Sequence, residues 1–235
     1  MAAMRRPFDP TDWPRRAAFE FFRGFDKPWF NVCTRVDVTA LRPALAVAGT
    51  GSLTLALHHA ALALANALEP FRLRLQGGQL WLYDVVHAGT TVLRPDGSFG
   101  FAYLDHHPQF PAFAAAAAPA LAAARDAPDS FAPRSDAHDL IHCTSLPWLH
   151  FTSFSHARRW GGEDAIPKIA FGRIDAEPGS GRHWLPLSVE VHHALMDGLA
   201  VGRYVQAFEA LMREPLPWLQ GAPVEPLNLG VSPIS

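Results

Sequence analysis

Cysteine is scarce. Cys33 and Cys143 are the only two in 235 residues, which excludes a disulfide scaffold and makes a reducing, cytoplasmic setting the expected one. An excess of charge of either sign is also missing: 20 Lys and Arg stand against 22 Asp and Glu, a formal net charge of −2 at pH 7. Without a broad basic surface to hold a phosphate backbone, nucleic acid is not an expected partner. Nor is a membrane. The most apolar window, 53–68, contains His58, His59 and Asn66, whereas a span needs about 20 mostly apolar residues. Residues 1–6 lead into Pro7 and Phe8 without an apolar run, so no secretory leader is expected. The sequence carries no internal repeat.

Apolar material, by contrast, is ample. With 49% hydrophobic and 18% charged residues, the chain can build a substantial core, and disorder as its main state is excluded. The length points to one large domain over 1–235, with 217–235 as a C-terminal extension.

Residues 13–22 put Pro14 in a first helical turn and aromatics along one side of a short helix. Phe30, Val32, Thr34, Val36 and Val38 then alternate with Asn31, Cys33, Arg35 and Asp37, the period of a strand. Thr39 is the expected cap of a helix to about Val47, and Ser52 that of a longer one through Leu68. Gly77-Gly78 joins strands 71–75 and 79–86, and Pro95-Asp96-Gly97 joins strands 91–94 and 99–104, so the middle of the chain is antiparallel sheet. The alanine-rich stretch 112–124 reads as a helix that Phe113 and Leu121 dock. Residues 126–139 form a long connection, after which the same kind of sheet resumes. Late strands 166–175 and 184–192 flank the turn-rich 177–181, and a last helix covers 199–212.

The segment that carries chemistry is His192-His193-Ala194-Leu195-Met196-Asp197-Gly198, which leaves a strand and opens a helix. A strand end is where loops form clefts, and Asp197 at a helix start can both cap and accept from a cation. Neutral imidazole takes a proton from a hydroxyl or amine near pH 7, which makes His193 a candidate general base with Asp197 organising its turn. On spacing alone, a core histidine followed by an ordinary helix cap reads equally well. The pairs His58-His59, His106-His107 and His192-His193 do not make a metal site, because a metal needs convergent ligands and adjacent strand residues point to opposite faces.

Three segments together resemble one family. The histidine segment, preceded by Leu185-Pro186-Leu187-Ser188-Val189-Glu190-Val191, is similar to the active-site signature of the chloramphenicol acetyltransferases. Leu146-Pro147-Trp148-Leu149-His150-Phe151-Thr152-Ser153-Phe154 is similar to a second signature, and Trp13-Pro14-Arg15-Arg16-Ala17-Ala18-Phe19-Glu20-Phe21-Phe22 to the N-terminal one. The resemblance implies a two-layer α/β sandwich, a mostly antiparallel mixed sheet with helices packed on one face. It implies acetyl transfer from acetyl-CoA, a co-substrate and not a tightly bound cofactor, to an acceptor hydroxyl in one step. His193 matches the catalytic base, and Asp197 an acid paired with an arginine, here Arg15. Thr144 stands where a serine hydroxyl donates to the oxyanion, with Ser145 as the neighbouring alternative. Trp148 and Arg173 match the CoA side, with Ile174 in place of an aromatic. Phe21, Phe22, Phe131 and Phe154 match the acceptor pocket. The resemblance also implies a homotrimer with active sites at subunit interfaces, where His193 of one copy faces Phe21, Phe22, Phe131 and Thr144 of the next.

The same alignment puts His156, Arg158 and Lys168 where the family has aliphatic pocket residues, and Ala170 where it has a threonine. Three unpaired basic groups beside a neutral drug are unfavourable by about 1 to 3 kcal/mol each. Either these side chains turn to solvent, or the acceptor brings acidic or hydrogen-bonding groups. The competing readings are an acetyltransferase of the same fold acting on a more polar or anionic molecule, and a non-catalytic binder of CoA.

Overall fold

The computed structural model describes residues 4–49, 52–127, 133–134, 137–158 and 163–224. Its elements are β1 (Arg5–Pro7), α1 (Arg16–Phe22), β2 (Trp29–Asp37), α2 (Leu41–Ala48), α3 (Leu53–Ala67), β3 (Leu73–Gln76), β4 (Gln79–Tyr83), β5 (His87–Leu93), β6 (Phe99–Leu104), α4 (Phe110–Asp126), β7 (Leu140–Leu146), β8 (Lys168–Gly172), β9 (Asp175–Ala176), β10 (His183–His192), α5 (Gly198–Arg213) and α6 (Pro215–Leu219). The main sheet runs β2-β10-β8-β7-β5-β6, with β9 paired to β10. Its β5–β7 and β7–β8 pairs are parallel, and the remaining pairs are antiparallel.

Period-two writing sets the two faces of this sheet. Leu185, Leu187, Val189 and Val191 of β10 join Ile141 and Cys143 of β7 and Ile169 and Phe171 of β8 in one core with residues of α2 to α6. Pro186, Ser188, Glu190 and His192 therefore project to the opposite face. Helix α3 is buried without a break from Leu55 to Ala65, as a helix that is apolar all round must be. Ser52 caps it, accepting from the Leu55 N–H at 3.2 Å. His58 and His59 are core residues: His58 bonds the Thr54 carbonyl and the Thr90 hydroxyl, and His59 meets the His107 carbonyl at 3.1 Å.

Several sequence expectations are corrected. Thr39 does not cap α2; it donates to Asp37 and accepts from the His183 N–H, and the helix starts two residues later. The hairpin expected over 71–75 and 79–86 forms as β3 and β4, which belong to a separate three-stranded sheet, β1-β4-β3, and not to the main one. Leu73, Leu75, Leu80 and Leu82 give that hairpin its own core, shared with Phe19, Ala165, Ala194 and Leu195. Strand 166–175 divides into β8 and β9 after Gly172, where a Cβ would lie 2.9 Å from the Leu149 carbonyl and from Pro186. Residues 217–219, expected to open a C-terminal extension, lie instead in α6, with Trp218 and Leu219 buried in the main core. Residues 225–235 lie outside the described residues.

Candidate active site

His193 follows the last residue of β10, held by its N–H on the Pro28 carbonyl at 2.6 Å. Its Nδ1 lies 3.1 Å from the Met196 carbonyl. A carbonyl only accepts, so Nδ1 carries the proton and Nε2 keeps the free lone pair. Phe22 stacks on the ring at a centroid distance of 3.9 Å, and Phe30 stands 4.8 Å away. Phe22 was expected opposite His193 across a subunit boundary; it contacts His193 of its own chain instead.

Asp197 is the N-cap of α5, accepting from the Ala200 N–H at 3.0 Å through one oxygen. Its other oxygen takes Arg15, whose second guanidinium nitrogen donates to the His193 carbonyl at 3.0 Å. The arginine thus clamps both ends of the turn. Behind it, Ala194 and Leu195 rest on the small sheet's core together with Phe19 of α1. Such a pair fixes geometry more than it stabilises the fold, because desolvation offsets much of its attraction.

The other half of the candidate site lies on the sheet face away from the helices. Asn31, Glu190, Lys168 and Thr144 share it across four adjacent strands, and the segment from Phe154 to Arg158 covers it. Ser145 falls on the helix side with Cys143, so Thr144 is the hydroxyl that faces this segment. His156, Arg158 and Lys168 are not turned to solvent, and Arg158 and Lys168 are paired within the chain, so neither of the alternatives that the sequence offered is needed for these two cations. Arg158 pairs with Glu190 and with Asp164 at 3.2 Å. Lys168 pairs with Asp164 at 3.0 Å and donates to the Ala157 carbonyl at 2.9 Å. The His156 N–H donates to Glu190 at 3.0 Å, with its ring 3.6 Å from the same carboxylate. Two cations meet two carboxylates, so no net charge is offered to an acceptor.

Burial alone would raise Glu190, but His156 and Arg158 overcome it and hold the carboxyl at about 2, below the usual 4.5. Its contribution to stability is therefore complete above pH 4.5 and is lost as pH falls toward 2. Burial, with Arg158 second, holds His192 at about 4, so it stays neutral at pH 7 beside the candidate base. Removing Arg158 leaves the buried Glu190 carboxylate without its cation, while Asp164 keeps Lys168. Arg158→Met is expected to lower unfolding stability by about 3 to 5 kcal/mol, and Arg158→Met/Glu190→Leu to recover much of that loss. Urea denaturation measures it, and equal stabilities for the single and double variants would refute it.

The remaining predicted residues are dispersed. Trp148 is 55% exposed and Phe21 65% exposed. Arg173 lies at the surface, forked onto Asp175 at 2.8 and 3.2 Å and donating to the Trp148 carbonyl. Ile174 packs on the main core. Phe131 lies outside the described residues. Among the described residues, no group of three His, Cys, Asp or Glu is arranged to hold a metal ion.

The strand register separates His193 from Thr144. Thr144 pairs with Ala170, and Ala170 with Ser188. Thr144 is thus two strands across and five residues along from His193, roughly 19 Å between Cα atoms at ordinary strand spacings. One acceptor atom cannot touch both side chains of a single chain. Sequence reasoning overlooked Asp164, Trp29 and Phe30, and quoted Glu190 without giving it a role. An acid in an otherwise apolar strand, in step with His192, was the available signal.

The family model described as chloramphenicol acetyltransferase matches residues 6–209. The chain is 33% identical over 215 residues to a chloramphenicol acetyltransferase of Streptomyces acrimycini, covering 91% of this chain and 96% of that one. It is 26% identical over 204 residues to chloramphenicol acetyltransferase 2 of Escherichia coli, covering 86% and 94%. A solved chloramphenicol acetyltransferase superposes with a TM-score of 0.82 at 25% identity, covering 89% of this chain and 100% of that one.

Proposed function

The chain belongs to the chloramphenicol acetyltransferase family and is an acyltransferase, and from that premise we propose that it transfers the acetyl group of acetyl-CoA to a hydroxyl of chloramphenicol. The hydrogen bond between His193 Nδ1 and the Met196 carbonyl carries this reading, because it leaves Nε2 as the proton acceptor. Nε2 takes the hydroxyl proton as the acceptor oxygen bonds to the thioester carbon. The Thr144 hydroxyl donates to the oxyanion of the tetrahedral intermediate. Collapse breaks the carbon–sulfur bond, and the departing thiolate takes the proton back from Nε2, giving an acetyl ester and free CoA. No acyl-enzyme is needed.

The wide separation of His193 and Thr144 supports a homotrimer in which the His193 half of one copy closes on the Thr144 half of the next. Trp148 and Arg173 stand on the CoA side, and Phe21 and Phe154 supply aromatic walls for the acceptor. The balanced charges of Arg158, Lys168, Glu190 and Asp164 favour a neutral acceptor over an anionic one. Cys33 and Cys143 are free thiols, which suits a cytoplasmic enzyme that confers resistance by acetylating the drug. A thiol-release assay with acetyl-CoA tests the reading. Chloramphenicol is expected to release CoA far faster than hydroxylated carboxylates or phosphates; release with the anionic acceptors alone would refute it.

A further inference from the structure

We propose that Glu163 is a positioning residue, a latch that fastens segment 163–165 to the β3–β4 turn and so holds the acceptor-side face against the small sheet. This rests on the acetyltransferase reading. Gly77 and Gly78 have φ of 59° and 75°, and successive residues in this conformation turn their N–H groups toward one anion. Both N–H groups donate to the Glu163 carboxylate, Gly78 at 2.7 Å. The next residue, Asp164, accepts the Trp29 indole N–H on its carbonyl at 2.6 Å. Its carboxylate reaches Arg158 and Lys168, and Arg158 in turn grips Glu190 beneath the Phe154–His156 stretch. Ala165 then enters the small core beside Ala194 and Leu195, the two residues that follow His193.

Three consecutive residues therefore tie together the hairpin turn, the polar face and the backing of the catalytic turn. Asp164 and Ala165 are bound up with the fold through buried charge and packing. Glu163 is exposed, so truncating it leaves no buried charge behind and the fold tolerates the change. Its loss loosens Asp164, and through Arg158 the stretch that carries Phe154, the proposed wall of the acceptor pocket, while the CoA side on Trp148 and Arg173 is untouched.

Steady-state kinetics of Glu163→Ala, Glu163→Gln and wild type, with amide hydrogen exchange on each, test the latch. The alanine variant is expected to raise KM for the acceptor about fivefold to tenfold, with kcat reduced less than about threefold, because a displaced wall weakens binding more than it alters the proton transfer. KM for acetyl-CoA stays unchanged. Glutamine keeps one accepting oxygen and falls between the two. Exchange at Gly77, Gly78 and residues 154–158 speeds up in the alanine variant. An active wild type whose acceptor KM does not move on Glu163→Ala overturns the latch, as does a loss spread equally over both substrates. A wild type that releases no CoA with any acceptor defeats the acetyltransferase reading instead, and unchanged exchange at those amides then overturns the latch on its own.

Discussion

Replacing His193 by alanine is expected to lower kcat by about 10²- to 10⁴-fold while leaving the Kd for CoA within about threefold. His193 is fixed at three points: its backbone N–H on the Pro28 carbonyl, its ring Nδ1 on the Met196 carbonyl and its backbone carbonyl under Arg15. The backbone bonds to Pro28 and Arg15 survive truncation and keep the turn and α5 in place, while the ring is lost together with its Met196 contact, its stacking on Phe22 and the lone pair on Nε2. The loss should therefore fall on the chemical step, with KM for either substrate little changed. Stopped-flow or steady-state thiol release at saturating substrates measures kcat, and equilibrium titration with CoA measures binding. A variant that keeps more than about a tenth of the wild-type rate removes His193 from the role of general base.

Mixing two inactive variants is expected to restore activity. Thr144→Val keeps the shape of the side chain and deletes its hydroxyl, so on its own it should lower kcat by about 10²- to 10³-fold. Each active site, on the proposed arrangement, draws His193 from one copy and Thr144 from its neighbour. Unfolding equal amounts of His193→Ala and Thr144→Val chains together and refolding them gives random trimers. A site is whole when one contributor has an intact histidine and the next an intact hydroxyl, which occurs at about a quarter of the interfaces in a closed ring. The mixture should then run near a quarter of the wild-type rate, while the separately refolded parents stay inactive. Activity no higher than the parental average would mean that both groups act within one chain, against the register that separates them.

Several parts of this fold written in short-range signals were legible from the sequence, the cap expected at Thr39 being an exception. Ser52 caps α3 because a serine hydroxyl at that position meets an unpaired N–H wherever the helix sits. The alternation in β2 and the Gly77-Gly78 turn are local in the same sense, and the His193 to Asp197 spacing is a single turn of chain. Pairings that bring distant segments together were not legible. Nothing near β5 announces that residues 87–90 will lie parallel to 140–143, and nothing in 71–83 shows that this hairpin leaves the main sheet to back the catalytic turn. The basic side chains His156, Arg158 and Lys168 were misleading for a related reason. Read along the chain they are three cations in a region where aliphatic residues were expected; read across the sheet they face Glu190 and Asp164. Charge balance belongs to the folded surface, and a sequence displays only one side of it at a time.

The clamp on the catalytic turn joins residues 182 positions apart, Arg15 near the start of the chain and Asp197 near its end. A ribosome emits them in that order, so for most of synthesis the arginine has no carboxylate to seize. Everything between them must be threaded, paired and packed before the two can meet. A chain that stops short of Asp197 therefore lacks the clamp that fixes the turn. The clamp thus forms only once α1 and the start of α5 have been brought together by the sheets between them.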